Sequence, residues 1–161
     1  MKEVESKEVV VILHDIRSIE NVGAIFRTAE GAGVSKMYLT GYTPGPVDRF
    51  GRERKALSKT ALGAEKMVLW ECAESPYDLV EKLKAGGFTV VAVEQSPTSV
   101  DYRTFTLPSR AALIFGNEVE GVPQELLSLC SATVEIPLYG KKESLNVSVA
   151  AGVALFRLLR P

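Results

Sequence analysis

The sequence predicts a single α/β domain built on a mostly parallel sheet flanked by helices. Short apolar runs alternate with helical patterns, the runs are rich in Val, Ile and Leu with weak alternation, and turn residues separate them. Strands covered on both faces need such composition, because neither side meets water.

Taken in order, Val9–Leu13 reads as the first strand. A helix follows over Asn21–Ala32, where Val22, Ile25, Phe26, Ala29 and Ala32 form an apolar stripe that ends at Gly33. Lys36–Thr40 is a second strand, and Gly41–Gly51, with Pro44 and Pro46, a long exposed loop. A helix over Lys55–Leu62, a strand over Lys66–Trp70 and a helix over Tyr77–Ala85 come next, Pro76 standing at a helix start. Thr89–Val93, Ala111–Phe115 and Thr133–Ile136 are further strands, and Pro123–Cys130 is a helix. The last helix, Ser144–Leu159, is read with Ser144 as its cap and Leu145, Val149, Val153 and Phe156 in the core. No repeat or linker divides residues 1–161, so one domain is expected.

Composition narrows the function. The chain is 46% hydrophobic and 24% charged, with no apolar run of the roughly 18 residues a membrane span needs. Its N-terminus carries charges of both signs and no small-residue cleavage site, so a cytoplasmic location is expected. Cys72 and Cys130 lie far apart without clustered histidines, which argues for buried thiols and against zinc. The single histidine, His14, reads as a partner-satisfied residue at a strand end, and no metal site is expected. Net charge is −1, yet Arg49, Arg52, Arg54, Lys55 and Lys59 are opposed locally only by Glu53. Such a segment can follow a phosphate backbone, or it can be a solvated loop and helix start.

Three places carry more polar chemistry than packing requires. In the first helix Asn21, Gly23 and Arg27 lie off the apolar stripe. A glycine inside a helix costs roughly 1 kcal/mol against alanine, which clearance for a ligand or another backbone would justify. Arg27 presents a fork of donors suited to phosphate. The Rossmann fingerprint needs its glycines directly after the first strand, and here that place is taken by DIRSIEN. The second place is Gly116-Asn117-Glu118 followed by Gly121, at a strand's C-terminal end, where α/β sheets bind ligands; a plain turn is the alternative. The third runs from Ile136-Pro137 through Gly140, Lys141 and Lys142 to Ser144-Leu145-Asn146. Polar side chains and free N–H groups at a helix start can seat a phosphate or carboxylate.

Together these segments resemble the three motifs of the SpoU family, within the SPOUT superfamily of RNA methyltransferases: N-x-G-x-x-x-R at Asn21–Arg27, G-N-E-x-x-G at Gly116–Gly121, and I-P…S-L-N at Ile136–Asn146. TALGAE, Thr60 to Glu65, also resembles the segment such proteins carry between the first two, and the likeness spans about Val9 to Leu159. Each motif alone is weak; three in order at family spacing are specific.

The resemblance implies an α/β fold whose C-terminal part is threaded into a deep trefoil knot, otherwise rare in proteins. It implies S-adenosylmethionine as cofactor, bound by Val93, Gly116, Ile136, Ser144 and Leu145. It implies a homodimer with RNA across the interface, Arg27 of each protomer completing its partner's site. Methyl transfer to a ribose 2′-hydroxyl requires alignment of oxygen, methyl and sulfur and removal of a proton. Arg27 is expected to hold an RNA phosphate and stabilise the developing alkoxide, its pKa above about 12 being awkward for a base. Asn21, Glu118 and Asn146 would orient Arg27 and the ribose, and Ser144 could hold a phosphate. RNA affinity would come from Arg17, Arg52, Arg54, Lys55, Lys141 and Lys142, with tRNA favoured over rRNA. The rival readings are a catalytically silent, dimeric RNA-binding protein of the same fold and a methyltransferase acting on a base nitrogen.

Overall fold

A computed structural model describes residues 6–161. Strand β1 (Glu8–His14) leads through helix α1 (Ile19–Ala32) to β2 (Lys36–Thr40), α2 (Lys55–Ala61) and β3 (Leu69–Ala73). There follow α3 (Pro76–Ala85), β4 (Thr89–Val93), β5 (Val100–Asp101), β6 (Arg110–Phe115), α4 (Gln124–Leu127), β7 (Ala132–Glu135) and α5 (Val147–Leu159). The seven strands form one parallel sheet in the order β3-β2-β1-β6-β4-β7-β5.

The central strands explain the unbroken apolar runs. Val9, Val11 and Leu13 pack under α1 and α5, whereas Val10 and Ile12 face Leu79, Val80 and Leu83 of α3 and Leu126 of α4. Both faces of β1 are therefore dry, and Val, Ile and Leu succeed one another without a polar alternate. Ser18 caps α1 by accepting from the Asn21 backbone N–H, and Ser75 caps α3 with Pro76 in its first turn.

Several elements depart from the sequence reading. The third strand runs over Leu69–Ala73 rather than Lys66–Trp70, because Ala64–Lys66 forms a 3₁₀ turn that buries Ala64 and Glu65. As an edge strand, β3 is largely exposed, and Cys72 is exposed with it; only Cys130 is partly buried, where burial pushes its thiol up to about 11. The two-residue β5 has too little pattern to be read from sequence. In α5 the expected core stripe is reversed: Val149 and Phe156 are 52% and 47% exposed, and Leu145 and Val153 are exposed too. The buried side is Val147, Ala151, Ala154, Leu155, Leu158 and Leu159. A helix apolar on nearly every side gives periodicity no face to choose, and the small alanines allow the closer approach to α1.

β7 lies between β4 and β5, although residues 94–99 join those two strands directly. The chain then returns through the Tyr102–Thr104 turn, whose neighbours Phe105 and Leu107 pack in the core beneath α1 and α5, to reach β6. The C-terminal segment is thus inserted into an excursion already made, the arrangement that threading of this part of the chain requires.

Gly23 is buried in α1, and a Cβ there would stand 2.5 Å from the Leu57 carbonyl oxygen and closer still to Thr60 Oγ1. The glycine gives clearance to the α2 backbone, not to a ligand. Gly23→Ala should destabilise the fold by about 1–3 kcal/mol through overpacking, measured by urea denaturation.

Candidate active site

The loops that leave the C-terminal ends of β1, β4, β6 and β7 meet on one edge of the sheet. The loop after β6 is shaped by Asn117, whose Oδ1 accepts from the Val119 and Glu120 N–H groups at 2.9 Å. Its Nδ2 donates to the Asp15 carbonyl (2.9 Å) and to Tyr42 Oη (2.8 Å). Gly116 is required there because a Cβ would come within 2.5 Å of the Gly121 carbonyl. Its missing side chain admits the returning loop rather than a bound molecule, contrary to the simplest expectation. Glu94, at the end of β4, accepts from the Val122 N–H at 2.9 Å and fastens the same loop from beneath.

Glu118 joins the first two polar segments. Its Oε1 accepts from the Arg17 N–H (2.9 Å), and its Oε2 from the Ser18 N–H (2.8 Å) and Asn21 Nδ2 (3.2 Å). Burial alone would push this carboxyl up, but the backbone N–H groups of Arg17, Ser18 and Glu118 itself, with the Asn21 amide, together hold it below its ordinary value. Asn21 Oδ1 accepts in turn from Asn146 Nδ2 at 3.2 Å. Asn146, not Ser144, caps α5: its Oδ1 accepts from the Ser148 and Val149 N–H groups. Two asparagines and a glutamate, Asn21 lying 97 and 125 residues from the other two, thus form one chain of hydrogen bonds across all three segments.

A cavity of about 370 Å³ opens beside this network. Val93, Gly116, Ile136, Ser144 and Leu145, the five residues expected to hold a cofactor, all line it. So do Glu94, Glu118, Glu120, Glu135 and Glu143, and no Lys or Arg does. Such a wall suits a cationic ligand and disfavours one bearing phosphates.

Arg27 stands apart. It lies six residues beyond Asn21 on α1, about 9 Å further along the axis and on another side of the helix. It is exposed and lines a shallow surface hollow with Thr28, Lys59, Thr60, Leu62 and Phe156. Within one protomer Glu118, Asn21 and Asn146 therefore orient each other and do not contact Arg27. His14 is satisfied as anticipated: its Nδ1 meets Thr40 Oγ1 at 2.9 Å and its Nε2 lies 3.3 Å from Asp15 Oδ2. Desolvation holds its pKa below 6.5 against the opposing pull of Asp15.

The basic residues divide among three segments. Arg17 is exposed beside Tyr42 and Asn117–Glu120, and Lys141 and Lys142 are exposed on the approach to α5. Arg52 is exposed and paired with Asp48, Lys55 opens α2, and Arg54 is half-buried with its Nε donating to the Val47 carbonyl. Glu94, Tyr42 and Asn117 were not singled out as site residues from sequence. Only Asn117 stood within a motif; the others reach the site through strand order and loop return.

The profile of the SpoU rRNA methylase family matches residues 8–156. The chain belongs to that family. SpoU relatives include a tRNA (guanosine(18)-2′-O)-methyltransferase of Aquifex aeolicus, 32% identical over 98% of this chain and 72% of its own length. The corresponding Escherichia coli K12 protein is 29% identical over 95% of this chain and 63% of its own. Among solved structures, an AdoMet-bound rRNA methyltransferase from Sinorhizobium meliloti superposes with a TM-score of 0.86 at 33% identity, covering 96% of this chain and 57% of that one. The A. aeolicus TrmH/SpoU tRNA-modifying enzyme gives 0.83 at 30%, covering 96% and 75%. This is an RNA 2′-O-ribose methyltransferase family enzyme with the SpoU fold.

Among the described residues there is no group of three or more His, Cys, Asp or Glu side chains able to hold a metal, and no helix long and apolar enough to cross a membrane.

The lowered Glu118 pKa has a thermodynamic consequence. A carboxylate whose folded value lies below its unfolded value of about 4.5 adds stability above that pH and loses it as pH falls through the folded value. Glu118→Gln should therefore be less stable than the parent at neutral pH. The gap should close as pH drops below 4.5, followed by thermal melts across pH.

Proposed function

We propose that this chain transfers a methyl group from S-adenosylmethionine to the 2′-hydroxyl of a ribose in RNA, tRNA being favoured over rRNA. The observation that carries the cofactor reading is the cavity wall: five carboxylates, no basic residue, and apolar Val93, Ile136 and Leu145. The cofactor, when bound, supplies an electrophilic methyl group on a positively charged sulfur. The glutamates favour that charge, and the apolar side chains favour its adenine and exclude water. A dinucleotide, with its phosphates, would find no cation there.

The chain's own groups then assign themselves. Asn21 and Asn146, locked by Glu118, present amides of fixed orientation at the cavity's rim and position the ribose. Ser144, exposed just before the Asn146-capped start of α5, offers its hydroxyl to a phosphate. Arg27 binds the phosphate next to the target and stabilises charge developing on the ribose oxygen.

For Arg27 to reach a cavity it does not line in its own protomer, it must act on another copy's. The exposed stripe of Val149, Val153 and Phe156 on α5, with Phe156 beside Arg27 in the surface hollow, supports a second copy of this chain as the cover. A homodimer follows, and the cytoplasm is where its substrate would be met. The preference for tRNA rests on the tRNA (guanosine(18)-2′-O)-methyltransferases among the relatives; the Sinorhizobium rRNA methyltransferase, at equal or higher identity, keeps rRNA as the second reading.

Labelled S-adenosylmethionine with total RNA should give a labelled product, and nuclease mapping should place the label on ribose. Label on a base, or tight RNA binding without label, overturns the reading in favour of one rival or the other. Arg27→Ala should abolish transfer while cofactor binding and dimer mass persist. Mixing it with Asn146→Ala, each inactive alone, should restore about a quarter of the parent activity if subunits exchange freely, because half the dimers then hold one complete site. An inactive mixture, once exchange is verified by mass, would place Arg27 in its own protomer's chemistry.

A further inference from the structure

The excursion between β2 and α2 ends in a hairpin that packing does not explain. Val47 and Glu53 pair across it, the Asp48 N–H donates to the Arg52 carbonyl at 2.8 Å, and the Gly51 N–H to the Asp48 carbonyl at 2.9 Å. Asp48 Oδ1 accepts from the Phe50 and Arg52 N–H groups at 2.8 and 3.0 Å. The tip is thus rigid, and it carries Phe50 with its side chain in solvent, 66% exposed. The Arg49 and Arg52 guanidinium groups stand 4.7 and 4.9 Å from the centre of the phenyl ring. Asp48 Oδ2 holds Arg52 Nε at 2.9 Å, whereas among the described residues Arg49 makes no hydrogen bond or ion pair.

A turn whose only task is to reverse the chain has no use for an exposed phenyl ring at its apex. A ring braced by a pinned guanidinium, with a second held by the ring alone, has the parts of a stacking site. Such a ring can take an unpaired base in place of the Arg49 head, which leaves that guanidinium for the adjoining phosphate. The excursion is tied at its start to the loop after β6, and the helix that follows it, α2, is tied to α1. Tyr42 accepts from Asn117 at 2.8 Å, and Thr60 donates to the Glu20 carbonyl of α1 at 3.1 Å.

We propose that Phe50, with Arg49 and Arg52, is a stacking platform for an unpaired base of the RNA substrate. The platform reads single-stranded character: a duplex offers phosphates to its arginines but no free base face to its ring. The proposal rests on the RNA-methyltransferase reading and adds to it a residue that is neither basic nor part of a motif.

The test compares two fluorescein-labelled RNAs, a hairpin with an unpaired loop and a blunt duplex with the same number of phosphates, by anisotropy. Phe50→Ala should weaken hairpin binding on the order of tenfold, the scale of one lost base–aromatic stack. Duplex binding should not change, nor should the salt slope on either RNA, because no charge is removed. Phe50→Trp should restore the hairpin affinity, which a merely damaged fold would not allow. Equal hairpin affinity in parent and Phe50→Ala overturns the platform, as does an equal loss on both RNAs; the methyltransferase reading survives either result. A parent chain that binds neither RNA overturns both.

Discussion

The Glu118 carboxylate is the joint on which the site depends. It takes two backbone N–H groups from the turn that follows β1 and an amide from the helix beyond, so the loop after β6 and the start of α1 become one body. Asn21 passes the constraint on to Asn146, whose other atoms hold the first turn of α5. Each amide is fixed at both its oxygen and its nitrogen, which leaves it no freedom to flip. A ribose oriented by such groups meets donors and acceptors whose directions are set before it arrives, and that preorganisation lowers the entropic part of an in-line transfer. A site residue here owes its orientation to side chains from a helix, a loop and a helix cap, none adjacent in sequence.

Much of the fold was legible because the central strands are dry on both faces: β1 and β6 could be nothing but apolar runs, and β2 and β4 fall where the sequence places them. The parts that were not legible fail for identifiable reasons. β3, at an edge, has little burial to pattern it, and its start was shifted by three residues. β5 is two residues long and exists only because β7 lies beside it. The α5 faces were exchanged because its buried side is built from alanines and leucines and its exposed side from valines and a phenylalanine. Hydrophobicity ranks the second set at least as high; what decides is the room available against α1.

The site divides in the same way. Gly116, Ser144 and Leu145, which line the cavity, and the Asn21–Glu118–Asn146 set stand out in the sequence because each lies in a short polar interruption of an otherwise packed segment. Arg27, in the first of those interruptions, proves to face outward, beyond reach of a network only six residues away. Gly23 left open clearance for a ligand or for another backbone, and the structure decides for the backbone of α2. Glu94 and Tyr42 had no local signal at all: a glutamate after a strand and a tyrosine in a loop are ordinary until the sheet order brings Val122 and Asn117 to them.

The placing of β7 between β4 and β5 bears on when this protein becomes an enzyme. A chain emerges from its N-terminus, so both neighbours of β7 exist before β7 does. Until it arrives, the two residues of β5 have no strand to pair with and the β4 edge is open. The cavity wants Glu135, Ile136 and the approach to α5 as well. A nascent chain therefore displays its arginine-flanked hairpin, complete in local hydrogen bonds, while the cavity is still unbuilt. The hairpin therefore forms ahead of the cavity, whose walls close only when β7 and the approach to α5 have joined the sheet.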